Sequence, residues 1–186
     1  MKRIFDFIFA ITLLILFIIP MILIALSIRL TSNGPAIYWS DRVGVNNLIF
    51  RMPKFRSMRI DTPSLATHLL SDPDKFLSPI GKILRKSSID ELPQIFSVLQ
   101  GDMSFVGPRP ALYNQDDLVS LRKEHGLEHL VPGITGWAQV NGRDNLTIYE
   151  KVMFEVDYNK NKSFWFDLKI LWLTVLKVFS IKQISH

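Results

Sequence analysis

The chain has 186 residues, of which 48% are hydrophobic, a formal net charge of +5 and no cysteine. This length suffices for one domain with its own core, and the basic excess favours anionic partners such as lipid headgroups, nucleotides or nucleic acid. The lack of cysteine excludes disulfides, thiolate metal sites and a cysteine nucleophile.

The first predicted element is a membrane helix, because residues 7–28 contain no charged side chain. As a helix this run would be about 33 Å long, comparable to a bilayer core of roughly 30 Å. It is too long for the apolar region of a secretory signal peptide. Pro20 predicts a kink, which suits either a spanning helix or a re-entrant helix that returns to the same leaflet. Basic residues flank both ends, so charge leaves both geometries open.

A small antiparallel β element is predicted next. Residues 31–40 form a turn and a short strand, residues 41–47 a hairpin turn, and residues 48–58 a second strand. Residues 60–80 contain three prolines and predict a long polar loop, with a short helix near residues 64–70.

The remaining elements are mostly helices, separated by loops. The predicted helices are Ile80–Arg85, Glu91–Gln100, Leu112–His125, Thr147–Asn159 and Phe164–Phe179, with a loop over residues 131–137 and a strand or turn over residues 138–143. The last helix is apolar but carries Trp165, Trp172, Lys169 and Lys177, which suits the membrane interface. A buried C-terminal helix is the alternative.

Two adjacent carboxylates, Asp90 and Glu91, stand between Arg85 and Arg109. Asp90 is a good helix N-cap, Glu91 would favour the positive end of the same helix, and a proline is tolerated in a first turn, so a structural role would explain both acids. A cap, however, needs one acid. A helix N-terminus with arginines nearby is also a natural phosphate site, so the pattern favours a catalytic or binding role.

The chemistry of this pair follows from the residue types. A free aspartate has a pKa of about 3.9, so at pH 7 it is an anion that needs no base to activate it. It is a weak nucleophile, so its electrophile must be activated, as a diphosphate is by arginines and Mg²⁺. Glu91 would repel Asp90 unless a cation lay beside them, and two carboxylates suit Mg²⁺. The sequence therefore predicts metal ligation by Asp90 and Glu91.

Nearly the whole chain resembles the monotopic phosphoglycosyl transferases, the catalytic core of the bacterial sugar transferase family. The resemblance is specific because it consists of many ordered blocks rather than one short motif. The blocks are Lys2-Arg3-x-x-Asp6, Ser32-x-Gly34-Pro35, Arg42-x-Gly44, Lys54-Phe55-Arg56-Ser57-Met58, Leu84-Arg85-Lys86-x-Ser88-x-Asp90-Glu91-Leu92-Pro93-Gln94, Gly101-Asp102-Met103-Ser104-Phe105-Val106-Gly107-Pro108-Arg109-Pro110 and Pro132-Gly133-Ile134-Thr135-Gly136-Trp137-Ala138-Gln139-Val140-Asn141-Gly142-Arg143.

The resemblance implies a small α+β, membrane-associated fold at the cytoplasmic face of the bacterial inner membrane. It favours a re-entrant N-terminal helix over residues 1–30, followed by a catalytic domain over residues 31–186 with interfacial amphipathic helices. The chain would be the minimal catalytic form of a polyprenyl-phosphate sugar-1-phosphate transferase.

The resemblance also implies an activity and its residues. A UDP-sugar would donate a sugar 1-phosphate to a polyprenyl phosphate such as undecaprenyl phosphate, with release of UMP, in a first membrane step of glycoconjugate assembly. Asp90 would be the nucleophile that carries the phosphosugar, and Glu91 would help to place Mg²⁺. Arg85, Arg109 and Lys54 would bind phosphate oxygens. Candidate nucleotide contacts are Gln139, Asn141 and Arg143.

The expected partners are a UDP-sugar, a polyprenyl phosphate and membrane lipid, with a homodimer as an option and no nucleic acid. Two alternatives remain. The same reaction would be direct if the acids served only Mg²⁺ and proton transfer in a ternary complex. A non-enzymatic membrane module would bind anionic lipid or nucleic acid through its basic residues, although these are not concentrated in one run.

Overall fold

The computed structural model describes residues 1–60, 62, 73–142 and 145–183. The described helices are α1 (Lys2–Thr31), α2 (Gly81–Lys86), α3 (Gln94–Gln100), α4 (Asp116–Glu124), α5 (Trp137–Asn141), α6 (Ile148–Asn161) and α7 (Phe164–Gln183). The strands are β1 (Ile37–Val43), β2 (Ile49–Phe55), β3 (Ser104–Val106) and β4 (Gly133–Thr135), and 3₁₀ turns cover Val45–Asn47, Pro73–Phe76 and Ile89–Glu91.

The predicted α+β class is confirmed, with a small antiparallel element formed by β1 and β2. The helix predicted near residues 64–70 lies outside the described residues. Contacts divide the chain into two units: Met1–Phe7, Asp41–Phe50 and Val98–His186 form the first, and Ile8–Ser40 with Arg51–Ser97 form the second. The division at residue 30 stays a prediction.

The first unit contains a parallel strand pair that the sequence analysis missed. Ser104 of β3 is in register with Gly133 of β4, and Val106 with Thr135. The loop predicted over residues 131–137 is therefore interrupted by β4. The strand or turn predicted over residues 138–143 was wrong at residues 138–141, where α5 lies. Three residues are too few to show a strand period, and their pairing depends on a partner distant in sequence.

A polar network fixes the start of α1 within this first unit. The Lys2 ammonium donates to the Val106 carbonyl at 2.8 Å, to the Tyr158 hydroxyl at 3.1 Å and to Asp167 Oδ2 at 2.6 Å. The Tyr158 hydroxyl donates to Asp167 Oδ1 at 2.7 Å. Asp6 is buried and accepts a hydrogen bond from the backbone of Phe105. Charged residues at the start of an apolar helix thus have partners in α6, α7 and β3.

The second unit is built on the longer part of α1. Met21 and Ile28 of α1 form a buried cluster with Phe55 of β2 and Leu84 of α2. Among the described residues, α1 is the one helix long and apolar enough to cross a bilayer. Ile15 and Ile19 on it are 72% and 68% exposed. This exposed apolar surface fits a lipid environment better than water.

The C-terminal helix α7 also has one packed face and one exposed apolar face. Asp167 and Ile170 are buried, whereas Trp165 and Trp172 are 77% and 63% exposed. Exposed indole rings are typical of helices at a membrane–water interface. The helix itself is confirmed, and its interfacial position stays a prediction.

Candidate functional site

The acid pair lies in a tight turn and does not cap a helix. Asp90 and Glu91 belong to the 3₁₀ turn Ile89–Glu91, and α3 begins at Gln94, so the interpretation of Asp90 as its N-cap is wrong. Backbone bonds of the i to i−3 type run from Glu91 to Ser88 and from Phe96 to Pro93. Pro93 has no N–H to donate, which separates the turn from the regular helix.

Local backbone conformation and packing set this turn. Ser88, the residue before it, has φ 57° and ψ 17°, a left-handed conformation that is uncommon for a residue with a side chain. Ile89 and Leu92, on either side of the acids, pack against the core of the second unit. Asp90 and Glu91 themselves are partly buried. The turn therefore holds two carboxylates against an apolar core.

Two basic side chains accompany the acids. The Lys54 ammonium, from β2, donates to Glu91 Oε1 at 2.8 Å, and the two side chains are 15% and 16% exposed. Arg85 lies in the last turn of α2, with Nη1 3.5 Å from Met58 Sδ. Both cations influence the ionisation of Asp90. The structure thus brings together four of the predicted site residues.

Burial raises the pKa of Asp90 above its ordinary value. Burial is the largest effect on this pKa. Lys54 and Arg85 lower the pKa by less than burial raises it, and the negative charge of Glu91 raises it further. The loss of solvation on burial therefore outweighs the stabilisation of the carboxylate by the nearby cations.

The donor chemistry of the pair fits a hard divalent cation. Mg²⁺ is commonly held by one or two carboxylates, with water and substrate phosphates completing its ligands. Asp90 and Glu91 supply two such carboxylates, and their mutual repulsion would be relieved by a cation. Within the described ranges, no group of three or more His, Asp or Glu residues forms a complete metal cage. The pair therefore offers two of the ligands that such a cation takes.

The other predicted site residues lie in the first unit or outside the described chain. Arg109 is partly buried and belongs to the Pro-Arg-Pro loop. On α5, Asn141 donates its amide to the Trp137 carbonyl at 2.8 Å. The Gln139 side-chain amide has no hydrogen-bond partner in the described part of the chain. Arg143 lies outside the described residues. The proposed roles of these residues stay predictions.

One ion pair near Arg109 was not predicted from the sequence. Arg122 of α4 forms two hydrogen bonds with Glu155 of α6, at 2.8 and 2.6 Å, and a third with the Arg109 carbonyl at 2.9 Å. These residues stand on different helices, 33 positions apart. No local spacing links them, so the pair becomes visible only in the fold.

Comparison with known proteins shows one consistent relationship. The profile of the family described as "Bacterial sugar transferase" matches residues 1–181. The UDP-glucose:undecaprenyl-phosphate glucose-1-phosphate transferase of Escherichia coli K12 is 41% identical over 96% of the chain. The undecaprenyl-phosphate glucose phosphotransferase of Komagataeibacter xylinus is 42% identical over 96% of it. The uncharacterized sugar transferase EpsL of Bacillus subtilis is 40% identical over all of it.

These relatives differ in length. The chain spans 40% of the length of the E. coli protein and 36% of the K. xylinus protein. It spans 92% of the B. subtilis protein.

Proposed function

The chain belongs to the bacterial sugar transferase family, and we propose that it transfers a sugar 1-phosphate from a UDP-sugar to a polyprenyl phosphate such as undecaprenyl phosphate. The names of the E. coli and K. xylinus relatives support this reaction class. The observation that carries the proposal is a cluster of two acids and two bases. Asp90 and Glu91 lie on a turn packed against the core, Lys54 reaches them from β2, and Arg85 comes from α2.

In the first proposed step, an Asp90 carboxylate oxygen attacks the phosphorus that bears the sugar. The P–O bond between the two phosphoryl groups breaks, and UMP leaves with the bonding electron pair. The phosphosugar then remains on Asp90 as an acyl phosphate. Limited solvation supports this role, since a carboxylate with a raised pKa is more basic and therefore more nucleophilic when ionised.

In the second step, a phosphate oxygen of the polyprenyl phosphate attacks the same phosphorus. The bond to the Asp90 oxygen breaks, the carboxylate is regenerated, and a polyprenyl-diphospho-sugar is released. A lipid acceptor keeps its phosphate at headgroup depth. The exposed apolar surface of α1 supports an enzyme held at that depth. The cytoplasmic face of the bacterial inner membrane is the proposed location.

The remaining predicted site residues would bind phosphate, metal or nucleotide. Arg85 and Lys54 bind phosphate oxygens, each charge-assisted bond contributing on the order of 1.5–3 kcal/mol, and Arg109 has the same role at a substrate phosphate. The ion pair with Lys54 orients the Glu91 carboxylate. Asp90 and Glu91 would hold Mg²⁺, which when bound supplies positive charge to the diphosphate. Gln139, Asn141 and Arg143 are the proposed nucleotide contacts.

The test is incubation of the detergent-solubilised protein with a UDP-sugar and no acceptor. We expect one equivalent of UMP and a phosphosugar adduct that peptide mass spectrometry places on Asp90. Asp90→Asn should give neither product. Asp116→Asn, which removes an exposed acid from α4, is the control and should behave as the unaltered protein. If Asp90→Asn retains full turnover, Asp90 is not the nucleophile.

Initial-rate kinetics separate this mechanism from direct transfer in a ternary complex. Parallel double-reciprocal lines are expected for the two-step reaction, and converging lines would favour direct transfer. Salt-sensitive RNA binding without turnover of any UDP-sugar would instead support a non-enzymatic module. A panel of UDP-sugars assayed for UMP release identifies the sugar.

A further inference from the structure

The loop that carries Arg109 has an unusually well-fixed backbone. Over residues 108–111, each backbone carbonyl accepts a hydrogen bond from elsewhere in the first unit. The Pro108 carbonyl accepts from the Gly133 N–H at 2.8 Å, and the Arg109 carbonyl accepts from Arg122 Nη2 at 2.9 Å. The Pro110 carbonyl accepts from Arg42 Nη1 at 3.1 Å, and the Ala111 carbonyl accepts from the Val43 N–H at 3.0 Å. Two prolines restrict the loop further, because their rings fix φ. The Arg109 side chain thus begins at a defined position.

The bond at Arg109 itself comes from a guanidinium that is fixed in turn. Arg122 Nε donates to Glu155 Oε2 at 2.8 Å, and Nη2 donates to Glu155 Oε1 at 2.6 Å. Glu155 is 3% exposed, so water does not compete for its oxygens. A bidentate pair of this kind fixes the plane of a guanidinium. With that plane set, Nη2 also reaches the Arg109 carbonyl.

Stability alone does not account for this arrangement. A buried ion pair is often no more stabilising than well-packed apolar side chains of similar volume. The third bond also leads to the one residue of the loop that carries a charged side chain. Arg122 is held rigidly by Glu155, and its Nη2 also donates to the Arg109 carbonyl. Such an arrangement is suited to place the Arg109 side chain.

We propose that Arg122, oriented by Glu155, is a positioning residue that sets the backbone of Arg109 and so directs the Arg109 guanidinium at a substrate phosphate. The inference rests on the proposed phosphate-binding role of Arg109. Arg122 acts through Arg109 and does not itself contact substrate. Its contribution should therefore disappear when the guanidinium at position 109 is absent.

A double-mutant cycle tests this dependence. Arg122→Met should lower kcat/KM for UMP release at least tenfold, mainly through a higher KM for the UDP-sugar. In an Arg109→Met background, the same change should alter kcat/KM less than twofold. A purely structural role would lower the activity of both backgrounds by the same factor, and that result would overturn the proposal. Lys123→Met, which removes the neighbouring exposed charge, is the control.

A second set of variants covers the case in which Arg122→Met fails to fold, as judged by thermal unfolding. Arg122→Lys keeps a cation beside Glu155 but loses the planar fork, and it enters the same cycle with the same expectations. Exchange of the pair, Arg122→Glu with Glu155→Arg, restores the charges but leaves no donor at position 122. If the exchanged variant regains full activity, the bond to Arg109 is dispensable and the proposal fails.

The cycle also separates this inference from the proposed function. If Arg109→Met lowers activity but Arg122→Met has no effect, positioning is refuted while phosphate binding by Arg109 stands. If Arg109→Met leaves kcat and KM unchanged, the phosphate-binding role is refuted, and any effect of Arg122→Met then contradicts action through Arg109. Agreement with the expected dependence on Arg109 supports both.

Discussion

Replacing Lys54 by methionine should change both the stability of the protein and the pH dependence of its reaction. The Lys54 ammonium lies 2.8 Å from Glu91 Oε1, with the two side chains 15% and 16% exposed. Exposed ion pairs contribute about 0–1 kcal/mol, whereas breaking a fully buried pair costs about 3–5 kcal/mol. Since this pair is mostly shielded, we expect Lys54→Met to lower the free energy of unfolding by about 1–3 kcal/mol.

The effect on pH dependence has a definite sign. Lys54 lowers the pKa of Asp90, so its removal raises that pKa further. The proposed nucleophile must be ionised, and kcat/KM falls as the pH drops through its pKa. The acidic limb of the profile should therefore move to higher pH in Lys54→Met.

The measurement is the rate of UMP release between about pH 4 and 9, with denaturant unfolding in parallel. Lys54→Arg keeps the charge and is the control, so its acidic limb should stay close to that of the unaltered protein. An unchanged acidic limb in Lys54→Met would refute the coupling between Lys54 and Asp90, even if the overall rate falls.

Three further substitutions test the turn and its supports. In Gly81→Ala, the added Cβ would lie 1.9 Å from the Ser57 carbonyl oxygen. We expect denaturant unfolding to show a free energy of unfolding lower by about 1–3 kcal/mol. The KM for the UDP-sugar should rise because α2 must shift. Ser88→Val places a β-branched residue at φ 57°, which should destabilise by about 1–2 kcal/mol; equal stability of Ser88→Val and Ser88→Gly would contradict this. Asp90→Asn should raise the melting temperature at pH 7, because the raised pKa means that ionised Asp90 costs stability above that pKa. This gain should vanish below the ordinary pKa of 3.8, and a lower melting temperature at pH 7 would contradict it.

Elements with strong local signals were predicted well from sequence. The helix expected from Thr147 is α6, and Thr147 forms a capping box with Glu150. The helix expected from Phe164 is α7, four residues longer than predicted. Both have a start signal and an amphipathic or apolar run long enough to show a helical pattern. The strand Gly133–Thr135 depends instead on pairing with β3, so no local signal revealed it.

The candidate site shows the same limit. Asp90, Glu91 and Arg85 were proposed from their types and spacing, and Lys54 from family resemblance; their roles stay predictions. The Lys54–Glu91 contact and the direction of the Asp90 pKa shift were not predicted from the sequence. Burial and pairing across elements are properties of the folded chain, and they decide how a carboxylate titrates.

The Lys2 network also bears on how the protein is made. Lys2 lies 156 residues before Tyr158 and 165 before Asp167 in the chain. At a synthesis rate of about 5–20 residues per second, these partners leave the ribosome roughly 8–30 s after Lys2. The apolar helix therefore leaves the ribosome well before its polar base can form its final bonds, and docking of that base is expected to be a late event in biogenesis.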